Sequence, residues 1–222
     1  MRTRVTAEER MRTRATILSK VEYSVSNSEN EKVKRMIEDG AVYNKYLDLT
    51  VLYVIPIWTD YGFIVTYDML KTAEISEEEL KKTASKNTAK NHKFIANRIS
   101  DEITFYKKKL GMLPDSTAEK DGEELDAVVF TTESRRNGAN VLLFKKVFQK
   151  VAEELESDLY ILPTSVDDVL AVPMQEYGTT KELKELLKTI NMLLNSPREV
   201  LSYEVYKYCR ADEKLSIASE GE

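Results

Sequence analysis

Between Asp158 and Pro173 the chain reads DLYILPTSVDDVLAVP, two short apolar runs joined by a polar turn. Leu159–Leu162 and Val169–Val172 have the length of strands, and Pro163 to Asp168 are turn formers. Neither run alternates. Leu159 and Ile161 point one way, Tyr160 and Leu162 the other, and a strand apolar on both faces is covered on both faces. Burying one such side chain contributes roughly 1.5–3 kcal/mol. The rest of the chain must therefore supply a cover above and below this pair.

The flanking sequence predicts the elements around it. Ala127–Thr131 reads as a strand, and Asn137-Gly138 as a turn. Val141–Leu155 reads as a helix with Leu143, Val147, Val151 and Leu155 on one stripe. Thr179-Thr-Lys-Glu182 is a capping box opening a helix with Leu183, Leu186, Leu187, Ile190 and Leu194 inward. Asn195-Ser-Pro197 ends that helix, and Val200–Cys209 reads as the last strand. The order is β-α-β-β-α-β, the split βαβ pattern of ferredoxin-like sheets. It predicts an α+β fold with a four-stranded antiparallel sheet over 126–210 and both helices on one face. The N-terminal half is then the expected cover for the other face.

That half begins with a near-repeat, Met1-Arg-Thr-Arg-Val-Thr returning as Met11-Arg-Thr-Arg-Ala-Thr, which reads as a basic, frayed arm over 1–20. An α+β lobe follows over 21–113. It holds a strand at Lys20–Val25, a helical turn at Glu31–Asp39 stopped by Gly40, and a strand at Tyr46–Ile57. Thr59–Gly62 reads as a turn and Phe63–Tyr67 as the hairpin partner. Ser76-Glu-Glu-Glu79 opens a helix to His92, and Ile95, Ile99, Ile103, Tyr106 and Leu110 have the spacing of a second one. Residues 114–125 are acidic and polar, a predicted linker. The C-terminal βαββαβ lobe then runs over 126–215 and a frayed tail over 216–222.

Composition narrows the function classes. A net charge of −5 and a pI near 5.3 disfavour broad nucleic-acid affinity, which needs clustered Lys and Arg. The longest apolar runs are far short of the roughly 20 residues a membrane helix needs, and no apolar segment follows the basic start. One cysteine, Cys209, leaves no internal disulfide. Together these predict a cytoplasmic protein with no membrane contact.

Four stretches together carry a family resemblance: LDLTVLYVIPI (47–57), DYGFIVTYDMLKTAEISEEELKKTASKNT (60–88), NGANVLLFKKVFQKVAEELESDLYILPTSVDDVLAVP (137–173) and SPREVLSYEVYKYCRADEKLSIA (196–218). In order and spacing they resemble the uncharacterised bacterial family DUF5688, a domain of unknown function. Against that family this chain is shortened at the N-terminus, and it has Asp167-Asp168 where members tend to show a His-Glu pair. The resemblance implies no known activity, cofactor or catalytic residue.

The residues themselves offer few chemical constellations. Asp167 and Asp168 sit in a turn with Thr164 and Ser165, where paired carboxylates suit acid–base or cation chemistry but also suit a turn. Arg135-Arg136-Asn137-Gly138 precedes a predicted helix start, a setting for anion binding. Trp58 ends a strand, either as core or as an exposed contact. His92 reads as a solvated helix-end residue and Cys209 as a small buried hydrophobe. No catalytic residue, cofactor or metal site is assigned. The leading expectation is a non-catalytic binding or regulatory protein acting on a protein partner. One alternative is a hydrolase or transferase whose acidic turn, Asp167 and Asp168, converges with Arg135 and Arg136 across the sheet; another is a mobile-element accessory protein blocking a host factor. With one histidine and one cysteine in the chain, the purified protein is expected to carry no stoichiometric zinc or iron. Elemental analysis finding about one transition metal per chain would overturn that.

Overall fold

The computed structural model describes residues 6–58, 61–109, 127–194, 196 and 199–219. The chain divides into two compact units, Met1–Lys93 and Phe94–Glu222. The linker expected at 114–125 lies outside the described residues.

The first unit opens with a helix where a frayed arm was expected. α1 (Ala7–Lys20) starts at a capping box in which Thr6 and Glu9 satisfy each other's backbone N–H groups. Its basic residues are engaged: Arg10 pairs with Glu74, and Arg14 donates to the Glu79 carboxylate at 2.5 Å and the Glu74 carbonyl at 2.6 Å. Ile17 is buried. β1 (Glu22–Asn27), α2 (Glu31–Glu38), β2 (Tyr43–Tyr46), β3 (Leu49–Trp58), β4 (Tyr61–Ile64), α3 (Tyr67–Ala73) and α4 (Glu77–His92) follow. Gly40, with φ 90°, turns the chain after α2. The single strand expected at Tyr46–Ile57 is broken at Leu47, φ 55°, so that β2 folds back on β3. β3 is central, pairing antiparallel with β1, β2 and β4. α4 buries Leu80, Ala84 and Thr88, four residues apart, and the Thr88 hydroxyl accepts from the Tyr23 N–H at 2.8 Å. His92 is not solvated. Its Nε2 lies 2.9 Å from Glu22 Oε2, and both side chains are largely buried.

The second unit contains β5 (Phe94–Arg98), α5 (Ile99–Lys109), β6 (Val128–Thr132), a 3-10 turn (Gly138–Leu143), α6 (Lys146–Glu154), β7 (Leu159–Leu162), β8 (Val169–Pro173), α7 (Thr180–Leu194), β9 (Tyr206–Cys209) and β10 (Lys214–Ile217). The helix expected through Ile95 starts only at Ile99. Lys93, φ 44°, ends α4, and residues 94–98 pair with β6 over five positions, so ladder bonds override the helical spacing. The strand expected at Val200–Cys209 is shorter. The Ser202 hydroxyl accepts from the Glu204 N–H at 2.8 Å and turns the chain there. Residues 214–217, read in part as tail, form a hairpin with β9.

The sheet is antiparallel and six-stranded, in the order β10-β9-β7-β8-β6-β5. Each α crossover skips one strand, β6 to β7 over β8 and β8 to β9 over β7, as in a split βαβ unit. The strand order nevertheless departs from the ferredoxin-like one, because the hairpin β7–β8 occupies the centre. This reverses the expected placement of the helices. Both crossovers step the same way along the sheet from starting strands that are antiparallel. Right-handed connections then put their helices on opposite faces. Cross-strand partners confirm it, since they share a face. Leu183 and Leu187 of α7 cluster with Tyr160, Leu162 and Val172 on one face. On the other, Phe148 of α6 stacks edge-on to Phe130 at 4.8 Å and lies 5.9 Å from Tyr208.

Phe148→Leu and Leu187→Val each thin a fully buried contact, one per face. We expect each to cost roughly 1–2 kcal/mol in urea unfolding, and the double variant to cost their sum within about 0.5 kcal/mol. A larger coupling would mean the two helices share one packed layer.

Candidate functional site

Two turns of the second unit are knitted together by backbone. The first is Thr132–Gly138, where Arg135 and Asn137 take left-handed φ of 59° and 54°. The second is the acidic turn Thr164–Asp168. The Gly138 N–H donates to the Asp167 carbonyl at 3.2 Å and the Ala139 N–H to the Val166 carbonyl at 3.2 Å. The Asn137 N–H donates to Asp167 Oδ1 at 2.8 Å, and Thr131 Oγ1 donates to the Asp167 carbonyl at 2.8 Å. A Cβ on Gly138 would sit 2.2 Å from that same carbonyl oxygen, so glycine is required by the close approach. Within the acidic turn, Ser165 Oγ accepts from the N–H groups of Asp167 and Asp168 at 3.0 and 3.2 Å.

The knitted turns leave the two carboxylates with different tasks. Asp167 is bonded back onto Asn137. Burial, above all, raises its pKa; the Asn137 N–H works the other way, while Asp168 and Glu199 repel the charge further. Asp168 is held by one oxygen, with Thr164 Oγ1 donating to Oδ1 at 2.7 Å. Its Oδ2 has no partner among the described residues.

Asp168 lines a cavity of about 630 Å3 on the α7 face of the sheet. Val129 of β6 and Leu170 of β8, direct cross-strand partners, form its floor. Ile99, Ile103 and Tyr106 of α5 and Ile190 of α7 form its walls. Polar groups gather in the same space: Glu102, Arg135, Thr131, Thr164 and Asp168, with Lys107 also lining it. Glu102 is 5% exposed. Its Oε1 accepts from Asn97 Nδ2 at 2.5 Å, and its Oε2 pairs with Arg135 Nη1. The Arg135 guanidinium also lies over the Phe105 ring, 4.4 Å from its centroid. The pair is thus neutral as a unit, and each partner is spoken for. Burial raises the pKa of the Tyr106 phenol first of all; the charges of Asp168, Glu102 and Asp167 add to this, against Arg135 alone.

Of the residues singled out from sequence, the cavity brings together Arg135 and Asp168. Asp167 braces the turn and does not line the cavity. The anion site expected at Arg135–Gly138 has its amides occupied: those of Asn137, Gly138 and Ala139 are taken by the 166–168 turn. The Arg136 N–H donates to Thr132 Oγ1 at 3.1 Å. Trp58 ends β3 in the first unit, and its side chain lies outside the described residues. Cys209 is half-buried on β9. Sequence reasoning missed Glu102, Tyr106 and Ile190 as site residues. Ile99, Ile103 and Tyr106 were visible as a helical stripe, a spacing that by itself indicates core. Among the described residues no group of three or more His, Cys, Asp or Glu is placed to hold a metal ion, and no helix is long and apolar enough to cross a membrane.

A family of unknown function, DUF5688, matches residues 4–210, nearly the whole chain. The chain belongs to that family. No curated protein and no solved structure matches it.

Two substitutions test the knitted turns. Gly138→Ala should lose about 1–3 kcal/mol, because the obstacle is backbone and cannot swing aside. Asp167→Asn keeps an acceptor for the Asn137 N–H and removes a carboxylate whose folded-state pKa is raised. A raised acid loses stability as pH climbs from the ordinary Asp range through its folded pKa. The melting temperature of Asp167→Asn relative to the parent should therefore rise between about pH 4 and pH 7. A difference that is flat or falls with pH would contradict the assignment.

Proposed function

We propose that this member of the DUF5688 family is a non-catalytic binding protein whose ligand is a small molecule held between α5 and α7. The cavity, at about 630 Å3, falls in the range of small-ligand sites, roughly 300–1,000 Å3. Its walls are apolar, with a few polar groups placed by the fold, the usual composition of such sites. The single observation that carries the reading is Asp168, a carboxylate lining the cavity and fixed by Thr164 through one oxygen only. Binding is favoured over acid–base chemistry because the turn brings one carboxylate to the cavity, not two. Asp167 is engaged with Asn137, and both oxygens of Glu102 are occupied.

A second reading, contact with a protein partner, is favoured by one observation. Met192 and Leu193 stand side by side on α7, each 76% exposed. Affinity capture from the native host followed by mass spectrometry, with the parent and with a Met192→Ser, Leu193→Ser variant, tests it. A protein retained by the first and lost by the second supports this contact.

The ligand reading is tested by ligand-observed NMR with a fragment library on the parent and on Ile190→Trp, which fills the cavity from its α7 wall. Fragments should bind the parent and be displaced from the variant, with the variant's unfolding midpoint unchanged. No bound fragments, or fragments that bind both proteins equally, would refute it.

A further inference from the structure

The charge distribution around the cavity goes a step further, and rests on the ligand reading above. Four charged side chains line the space: Glu102, Arg135, Asp168 and Lys107. Glu102 and Arg135 neutralise each other, and the Phe105 ring takes the guanidinium face. Lys107 is exposed and has an interaction of its own. Asp168 keeps an oxygen for a ligand, and Asp167 next to it adds to the negative potential at the cavity wall. At Tyr106, which lines the same cavity, three carboxylates act on the phenol against one guanidinium. Tyr106 also contributes an aromatic ring to the wall, and a ring face attracts cations. The remaining lining, Ile99, Ile103, Val129, Leu170 and Ile190, suits a hydrocarbon body.

We propose that the cavity takes an organic cation: a small molecule with an apolar body and a protonated amine that donates to Asp168 Oδ2 beside the Tyr106 ring. A carboxylate-bearing ligand is disfavoured. It would meet the Asp168 carboxylate and would have to break the Glu102–Arg135 pair to reach the guanidinium.

Phenethylamine, phenethyl alcohol and phenylacetate share one apolar body and differ in head charge. Their dissociation constants, measured by NMR titration on the full chain, test the inference. The amine should bind about fivefold tighter than the alcohol or better, since a charge-assisted hydrogen bond is about twice as strong as a neutral one. Phenylacetate should be weakest. Asp168→Asn, which keeps an acceptor for Thr164, should remove the amine's advantage and leave the alcohol unchanged. If that variant does not fold, Tyr106→Leu serves, because loss of the ring should weaken the amine more than the alcohol. Equal binding of the amine and the alcohol would overturn the organic-cation inference while leaving the cavity as a ligand site. Tightest binding by phenylacetate, lost in Lys107→Met, would overturn it in favour of an anionic ligand. No binding of any of the three to the cavity residues would count against both.

Discussion

The antiparallel pairing of β7 with β8 at the centre of the second sheet determines the rest of that unit. The two strands are adjacent in sequence and joined by a turn of six residues, so their register closes with little chain entropy to overcome. β6 and β9 can then attach only to the outer edges of the pair. Each helix must pass over the strand that separates its two ends. Because both crossovers step in the same direction from antiparallel starts, a right-handed path places α6 on one face and α7 on the other. The apolar character of β7 and β8 on both faces is the sequence-level counterpart of that outcome. These strands meet a helix on each side within their own unit.

The turn between β7 and β8 carries the charged end of the site for the same reason. It lies beside the end of β6, where Gly138 allows backbone to approach backbone without a side chain between them. Asp167 and Asp168, adjacent in sequence, are separated by this contact. One carboxylate is consumed in bracing the two turns, and the other is presented to the cavity. The Glu102–Arg135 pair is a different case. Burying such a pair costs desolvation energy on both partners, which is offset only when the remaining hydrogen bonds and packing are good. Here Asn97 and the Phe105 ring supply them. The pair fixes α5 to the turn after β6, and so sets one wall of the cavity.

Much of the local structure was legible. β7, β8, α4 and α7 lie close to where apolar runs and capping boxes put them, because the signals there are short-range. The DUF5688 membership was legible from the order of four sequence blocks. What failed depended on long-range pairing. The helical spacing of Ile95, Ile99 and Ile103 gave no sign that residues 94–98 would be drawn into the sheet by β6. A βαββαβ order does not specify which strand becomes central, so both helices were expected on one face. The arginines of α1 looked like a solvated arm because their partners, Glu74 and Glu79, lie some sixty residues away. In the site, Asp168 and Arg135 were legible as chemistry in turns. Glu102 was hidden within a helix that sequence alone read as core and solvated face.

The cavity itself follows from an asymmetry between the two covers. On the α6 face, aromatic rings close the space: Phe148 against Phe130 and Tyr208, and Phe144 at 5.1 Å from Phe94. Val128, Phe130, Val169 and Ala171, which point that way, are all buried. On the opposite face, α5 and α7 flank the sheet, and the apolar residues between them are branched aliphatics and a tyrosine. Val129 and Leu170 point there, and each is the one residue of its strand that is not fully buried. They are also cross-strand partners. Two apolar side chains, side by side at the middle of a sheet and both short of full burial, leave a hydrophobic contribution of order 1 kcal/mol each unrealised. A ligand with an apolar body supplies that contact. This makes the floor of the cavity, as much as Asp168, an argument that the space exists to be occupied.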